Sequence, residues 1–555
     1  MHPTAVHFTI RILWLTALVV GGWSASLAAQ NPGGESPDGT EANRATFEEP
    51  LPDELAQSTA SPSPATGAGS AGSSPEYPGA APAPAKPAKG GKKPPVQPWK
   101  GVFFDNDFSY KKNPDHDWLL GENLKDIPFG GLFDWLDDPT TLSTGGEVRY
   151  RLMDEANRLR AVPPGVKNLA VYNLWRYRQY VDLKVGDSFR VYAELLEADM
   201  FDNPLAVTGI DVNQWDLQNL FFDLKLLEID DRPLYLRYGR QELLYGSQRL
   251  LSPLDWANIR RNWQGFKFFT KGPDWDLDAW STYPVNTASF GNGQVLLNDG
   301  TFDSPNLNHN FSGAWFTYKG VKDQTWDLYY FWDWNRELIS PHFAGGNRQT
   351  IATRWLRSFP VTDFGEVDRT WLAEVEGGYQ YGDDFGRRVN AGFCTTGVGH
   401  QWTGLRWQPT LWLYYDWASG SRNYNGRSTQ TFSQQYGLTH AFLGQIDNIA
   451  RQNITDINGK FSVTPVKQLN LEAQYHWFNL QNPHDVLYII TGQPFGKPNT
   501  GRHVGQEVDA VATYTYSPNF SVQFGYFYFW YGDFVQNNSP RGNAYMFYVQ
   551  PTLRF

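Results

Sequence analysis

The chain has 555 residues, a formal net charge of −11 and 16 % aromatic residues, among them 23 Trp and 29 Tyr. The acidic balance argues against nucleic acid as a partner, because binding to phosphate backbones needs a basic surface. The single cysteine, Cys394, excludes a disulfide framework within the chain.

The first 29 residues have the pattern of a cleaved signal peptide. His7 and Arg11 precede an apolar run over 12–20, and small residues follow at 26–29. The apolar run is shorter than the ~20 residues that a membrane-spanning helix needs. We therefore expect residues 1–29 to direct export and to be removed.

Two segments of different composition follow. Residues 30–99 are dominated by Pro, Ala, Gly and Ser and cannot bury enough apolar area to fold, so they are predicted to form a disordered linker. Residues 100–143 carry more aromatic side chains and are predicted to form a short periplasmic or plug segment.

Residues 144–555 alternate between apolar and polar side chains with a period of two. In the stretch from 175 to 185, Trp175, Tyr177 and Val181 alternate with Arg176 and Arg178. Such alternation predicts strands with one apolar and one wet face. The strands reach about 10–13 residues, which exceeds the usual soluble length of ~5–6 and suits the ~9–11 residues of a tilted membrane-spanning strand. Trp and Tyr near the strand ends suit the aromatic girdles of an outer-membrane barrel.

The connections between these strands alternate in length. Short connections are predicted at 185–188, 228–233, 271–274, 320–324, 464–467 and 517–519, and long ones near 155–169, 197–214, 240–262, 285–310, 336–348, 418–451 and 480–503. Tight turns at one end and large loops at the other are typical of bacterial outer-membrane barrels. The prediction is an all-β fold: a closed, antiparallel transmembrane β-barrel of about 18 strands, in the bacterial outer membrane, with both termini in the periplasm and lipid as a partner.

The stretch "NAYMFYVQPTLRF" is predicted to be the last strand. Its apolar or aromatic outward set is Tyr545, Phe547, Val549, Pro551, Leu553 and Phe555. In a closed barrel this strand must pair with the first, because no sheet edge can face lipid.

The inward positions of the barrel are expected to set its selectivity. They include Arg149, Arg151, Arg176, Arg178, Arg190, Arg237, Arg354 and Arg406, together with Asp182, Glu194 and other carboxylates. A wall of arginines favours anions, and guanidinium groups match carboxylates bidentately, which suits a uronate-type polymer. The alternative is that these charges pair across strands and only solvate the inner wall.

The stretch "YGRQELLYGSQRLLSPLDWANIRRNWQGFKF" over 238–268 resembles the signature of the alginate-export family of outer-membrane porins. "YYDWASGSRN" at 414–423 and "HVGQEVDAVATYTYSP" at 503–518 extend the resemblance over most of 144–555. It implies an 18-stranded barrel, an electropositive constriction, outward passage of an anionic polysaccharide or oligosaccharide, and periplasmic export components as partners. The motif positions are Arg240, Arg249, Asp255, Trp256 and Arg260. The alternative role for Arg249 and Arg260 is to tie the loop to Asp255 or Glu242.

Two other functions remain open at this point. A general diffusion porin with weak selectivity would have the same fold. A barrel enzyme would need a nucleophile beside a partnered histidine; His476 is placed inward beside Glu472, with no serine assignable to it. No cofactor or metal motif is found in the sequence, and we expect a channel rather than an enzyme.

Overall fold

The computed structural model of the protein describes residues 97–113, 115–129, 139–160, 167–205, 207, 209–285, 289–291, 294–296, 302–336, 346–363, 366–384 and 386–555. The predicted signal peptide and the predicted linker up to residue 96 lie outside these residues.

Eighteen antiparallel strands form one sheet, as the sequence predicts. Two strands of two residues each, Ile127–Pro128 and Ser428–Thr429, attach to the same sheet. The eighteen are β1 (Thr140–Ala156), β2 (Leu169–Val185), β3 (Phe189–Phe201), β4 (Asn213–Ile229), β5 (Arg232–Gln241), β6 (Trp263–Lys271), β7 (Trp275–Pro284), β8 (His309–Tyr318), β9 (Gln324–Asn335), β10 (Asn347–Asp363), β11 (Glu366–Asp384), β12 (Arg387–Gln401), β13 (Thr410–Ala418), β14 (Ile454–Val466), β15 (Leu469–Leu480), β16 (His503–Ser517), β17 (Phe520–Tyr531) and β18 (Ala544–Arg554).

The sheet closes on itself between β1 and β18. Glu147 lies opposite Arg554, and Leu152 lies opposite Val549, in antiparallel register. The backbone of Phe555 extends this seam, because its N–H donates to Gly146 at 3.1 Å and its carbonyl accepts from Gly146 at 2.8 Å. The closure confirms the predicted fold class and leaves no strand edge unpaired at the seam.

The remaining elements are short. The 3₁₀ helices are Phe103–Asp105, Ser109–Lys112 and Glu122–Leu124, the α-helix α1 is Asp533–Asn538, and two small hairpins pair Ser289–Gly291 with Gln294–Leu296 and Leu487–Tyr488 with Pro494–Phe495. In the part of the chain that the structure describes, no helix is long and apolar enough to cross a bilayer.

Short and long connections alternate around most of the barrel; the exceptions are the short connection between β11 and β12 at the loop end and the longer connection 402–409 at the turn end. One end, which we call the turn end, carries connections such as 186–188, 230–231 and 272–274; the opposite end, which we call the loop end, carries the long ones. Strand β1 begins at Thr140, four residues before the predicted barrel boundary. The connection 402–409 between β12 and β13 contains Arg406, which is exposed, so the prediction that Arg406 lies on the inner wall is wrong.

The two faces of the wall have opposite chemistry. On β2, Trp175 and Val181 are exposed on the outside, at 37 % and 46 %, whereas Arg176 and Arg178 are buried inside. The alternating burial of β2 and β18 shows that apolar and aromatic side chains point outward, as predicted. A sheet with this arrangement is solvated by lipid on its outer face.

Two long connections fold into the barrel. Loop A (residues 242–262) and loop B (residues 419–453) are buried along most of their length. Leu251 of loop A and Tyr436 of loop B form a parallel bridge, and Ser252 donates its N–H to the Tyr436 carbonyl at 3.1 Å. The two loops therefore form one packed unit inside the wall.

Residues 97–113 and 115–129, which we call the strap, pack against the turn end of the barrel. The Lys125 ammonium bonds to the carbonyl of Thr144 on β1 and, at 3.2 Å, to that of Phe555. It lies 5.1–5.7 Å from the ring centroids of Trp99, Phe108 and Tyr180. Gly121 has φ of 77°, and a Cβ there would lie 2.8 Å from the carbonyl carbon of Phe555, so the close approach needs glycine.

Candidate functional site

Arginines of β1 and β2 hold loop A. Arg149 and Arg176 lie directly opposite each other, and both point inward. Arg149 donates to the carbonyls of Asp255 and Ala257, each at 2.6 Å. Arg176 donates to the Asp255 carboxylate at 2.8 Å and also pairs with Glu147. The predicted pore residues and the predicted motif residue Asp255 therefore form one buried network.

Trp256 joins this network to loop B. The Arg151 guanidinium lies 3.5 Å from the centre of the Trp256 ring, a cation–π contact, and donates to the Trp256 carbonyl at 2.9 Å. Trp256 also stacks on His440 of loop B, with 4.3 Å between ring centroids. The residue thus positions both loops against the β1–β2 wall.

The other motif arginines also make structural contacts. Arg260 pairs with Glu242 and Asp255, which is the loop-tying role considered from the sequence. Arg249 instead ties loop A to β11, where it pairs with Glu374 and, at 3.0 Å, with Glu376. Arg240 donates to the Leu217 carbonyl at 2.8 Å.

A second group of arginines lies nearer the turn end. These side chains pair with carboxylates on the same or neighbouring strands: Arg178 with Glu194 at 2.6 Å, Arg190 with Asp182 at 2.7 Å, Arg237 with Asp223 at 2.6 Å and Arg354 with Asp327 at 2.7 Å.

The predicted arginines are thus brought together on the inner wall, but in ion pairs. Arg176 and Arg178 are 0 % and 1 % exposed, so they do not face open water as an anion-selective row would. Pairing across strands, the alternative considered from the sequence, describes these contacts. Whether the predicted residues select anions stays a prediction.

A cavity of 350 Å³ opens in the inner wall at the turn end. Its cationic side chains are Arg237, Lys267, Lys271, Lys319 and Arg354. The side chains of Lys271 and Lys319 are 55 % and 37 % exposed, which distinguishes them from the buried arginines. Sequence reasoning missed the three lysines because it weighed only arginines; the alternation that placed Arg237 inward also places Lys267 and Lys271 inward on β6.

The histidine considered for catalysis is paired with a carboxylate of a neighbouring strand. His476 bonds to Asp456 at 2.7 Å and lies 3.7 Å from Asp509, whereas Glu472 pairs with Lys460 at 2.7 Å. Both side chains point inward from β15, as predicted, but each has a carboxylate or ammonium partner on a neighbouring strand. Among the described residues, no group of three or more His, Cys, Asp or Glu side chains could hold a metal ion.

A pH-sensitive contact fixes residues 302–308 at the loop end. Asp303 accepts from Asn213 at 2.9 Å, its N–H donates to Asp216 at 2.9 Å, and its carbonyl accepts from Arg240. Burial first, and then the neighbouring Asp216 carboxylate, raise the pKa of Asp303 from 3.8 to about 7.

This shift predicts a loop contact that weakens as the pH rises. The Asp303 carboxyl holds its proton more tightly when residues 302–308 are closed than when they are open. Closure is therefore strongest below about pH 4 and weakens progressively until pH 7. We expect amide protection of residues 302–308, corrected for intrinsic exchange rates, to be about tenfold or more higher at pH 5 than at pH 8. Hydrogen exchange measures this. Asp303→Asn removes the titrating group and is expected to remove the pH dependence; equal protection at both pH values in the wild-type chain would contradict the assignment.

Comparison with known proteins identifies the family. The family model described as "Alginate export" matches residues 140–549. No curated protein sequence matches the chain.

Solved outer-membrane proteins are similar to the chain at 10–11 % sequence identity. The chain resembles OprD from Pseudomonas aeruginosa with a TM-score of 0.48, over 74 % of this chain and 93 % of that one. For OccK8 (OprE) from Pseudomonas aeruginosa the TM-score is 0.49, with 75 % and 98 % covered, and for OccAB2 from Acinetobacter baumannii it is 0.48, with 74 % and 98 % covered.

The family match agrees with the closed barrel, its apolar outer face and its alternating connections. The barrel is an outer-membrane channel, and its turn end faces the periplasm, as in other bacterial barrels. The chain belongs to the alginate export family.

Proposed function

We propose that the barrel passes an anionic, alginate-like polysaccharide or oligosaccharide across the outer membrane, selected by cationic side chains of the inner wall. The observation that carries this proposal is the 350 Å³ cavity at the turn end, with its five cationic side chains. Lys271 and Lys319 are the accessible members of this set, so they are the groups that a carboxylate arriving from the periplasm would meet. Periplasmic export components would deliver the polymer to this end.

A second candidate is a general diffusion porin with weak selectivity. The same cavity is also lined by Asp105, Asp276, Asp278 and Asp327, and these four carboxylates offset most of the positive charge. The Asp278 carboxylate by itself pairs with two of the lysines, Lys267 and Lys271, each at 2.8 Å. Selectivity therefore depends on the charge that remains accessible to a passing ion rather than on the count of cations.

Reversal potentials in planar bilayers test the choice between the two. The double variant Lys271→Gln with Lys319→Gln is expected to lower the anion-to-cation permeability ratio by about twofold or more, because it removes the accessible positive charge. Lys322→Gln is the matched control: its side chain belongs to the same β8–β9 turn, is 83 % exposed and does not line the cavity, so the ratio should not change.

The wild-type channel should also be blocked by uronate oligomers added on the turn-end side. A permeability ratio near one, unchanged in the double variant and accompanied by no block, would contradict anion selection and support the general porin.

A further inference from the structure

The strap lies on cationic side chains of the inner wall at the turn end. Phe103 packs against the Arg178 guanidinium, with 3.9 Å to the ring centroid, and Phe104 packs against Arg237 at 4.5 Å. These are cation–π contacts of short range. Val102, Phe103 and Phe104 are buried in a cluster with inward aromatic residues of β2, β3 and β4.

Backbone carbonyls of the same segment accept from two more arginines. Arg190 donates to the Phe104 carbonyl at 2.7 Å, and Arg260 of loop A donates to the Gly101 carbonyl at 2.7 Å. Residues 101–104 thus cover four guanidinium groups without supplying a carboxylate to any of them. The side chains and carbonyls of the strap occupy positions around these cations that would otherwise be open to a ligand or to water.

The strap also divides the space at the turn end. A second cavity of 220 Å³ adjoins the first, and the two share Asp105, Arg237 and Phe269 in their linings. Asp105 belongs to the strap and is exposed, whereas Arg237 and Phe269 belong to the wall. Without the strap, the two cavities would form one groove. We call this groove the vestibule; its cations are Lys184, Arg190, Arg237, Lys267, Lys271, Lys319 and Arg354.

We infer that the vestibule is a binding site for carboxylate-bearing sugar residues, and that Phe104 and Asp105 of the strap, anchored by the neighbouring Phe103, occupy it as an internal competitor. The inference rests on the proposed function and adds a site and an occupant to it. Asp105 is the only carboxylate that the strap contributes to the two linings. It lies between the cavities, at the position where a ligand carboxylate would contact the cations of the wall. The 350 Å³ cavity alone falls within the ~300–1,000 Å³ of ordinary small-ligand sites.

Competition by a tethered segment has a simple thermodynamic consequence. A ligand binds only the fraction of molecules whose vestibule is vacant, so its apparent dissociation constant rises by the inverse of that fraction. Weakening the strap contacts therefore tightens ligand binding without any change in the vestibule. A segment with only a structural role would not have this effect.

The test is ligand binding by the full-length protein in detergent, measured by calorimetry with a hexauronate as the probe. The double variant Phe103→Ala with Phe104→Ala is expected to bind the hexauronate about tenfold or more tightly than the wild type. A neutral hexasaccharide should show no such gain. Lys112→Ala, an exposed strap position away from the cavities, is the matched control and should bind as the wild type does.

Two results would overturn the inference: equal hexauronate affinity in the wild type and the double variant, or an equal gain for the neutral hexasaccharide. If the double variant does not fold, as judged by heat-dependent mobility, Asp105→Asn is measured instead. It removes only the strap carboxylate, and about threefold or more tighter binding is expected from the same competition, whereas unchanged binding would refute it.

Conductance recorded on the same preparations separates this inference from the proposed function. If the double variant binds the hexauronate more tightly but the wild-type barrel conducts without anion preference, the proposed anion passage is refuted and the vestibule inference stands. A double variant that conducts anions selectively but binds the hexauronate no more tightly than the wild type would refute the vestibule inference and leave the proposed function in place.

Discussion

Arg176→Met is expected to lower the free energy of unfolding by about 2–3 kcal/mol, because it removes the cation that two carboxylates share and leaves Glu147 with Arg554 alone and Asp255 with Arg260 as its remaining partner. Arg176 is 0 % exposed and pairs with Glu147 on β1 and, at 2.8 Å, with Asp255 in loop A. Methionine has a similar length, so the main change is the lost charge and its hydrogen bonds. Urea unfolding in lipid vesicles, followed by tryptophan fluorescence, measures the difference.

An exposed arginine provides the control. Arg369 pairs with Asp368 at 3.4 Å, and its side chain is 49 % exposed. Arg369→Met is expected to change stability by about 0–1 kcal/mol, as for other surface pairs. A loss below about 1 kcal/mol for Arg176→Met as well would mean that loop A does not depend on this network.

The second large effect is expected from Asp416→Asn, which should release loop B. Arg451 of loop B is 1 % exposed, pairs with Asp416 on β13 and donates to Thr395 at 3.2 Å. With Asp416 neutral, burial of the Arg451 charge is no longer compensated. We expect the fraction of molecules with loop B open to increase about 100-fold or more.

Limited trypsin digestion reads this opening, since cleavage after Arg451 requires the loop to leave the barrel. Arg422 and Arg427 are exposed in the same loop and serve as internal controls, with unchanged cleavage rates. Single-channel conductance should rise in parallel, because loop B fills part of the interior. Slow cleavage after Arg451 in the variant would show that the Arg451–Asp416 pair does not hold the loop.

The alternation of apolar and polar residues correctly predicted the strands of the barrel wall and the two faces of that wall. The alternation of Trp175 with Arg176 assigns each side chain to a face, since a strand has a period of two. Counting the strands between the predicted connections gives about 18, and the structure has eighteen; the last strand was also correctly predicted to pair with the first. Arg406 was misplaced because it stands between Leu405 and Trp407, which continue the apolar–polar alternation through a connection that Gly404 and Pro409 mark as a turn.

Loop contacts could not be predicted in the same way. Leu251 and Tyr436 form a bridge although 184 residues separate them in the chain. The sequence around each residue has no repeating pattern that would predict contact with the other. The strap is similar: Phe103 and Phe104 are adjacent, so no alternation shows which wall they contact. Consequently the sequence located the arginines on the inner face but did not reveal that loop A, loop B and the strap cover them.

The position of Lys125 has a consequence for the order of assembly. Its ammonium bonds to Thr144 on the first strand and to Phe555 beyond the last, so its docking site is complete only when the two ends of the sheet have joined. The wall must therefore form before the strap can dock. Until then the side chains of Trp99, Phe103 and Phe104 have no wall to cover them, so this aromatic stretch stays in contact with water as long as the barrel is open.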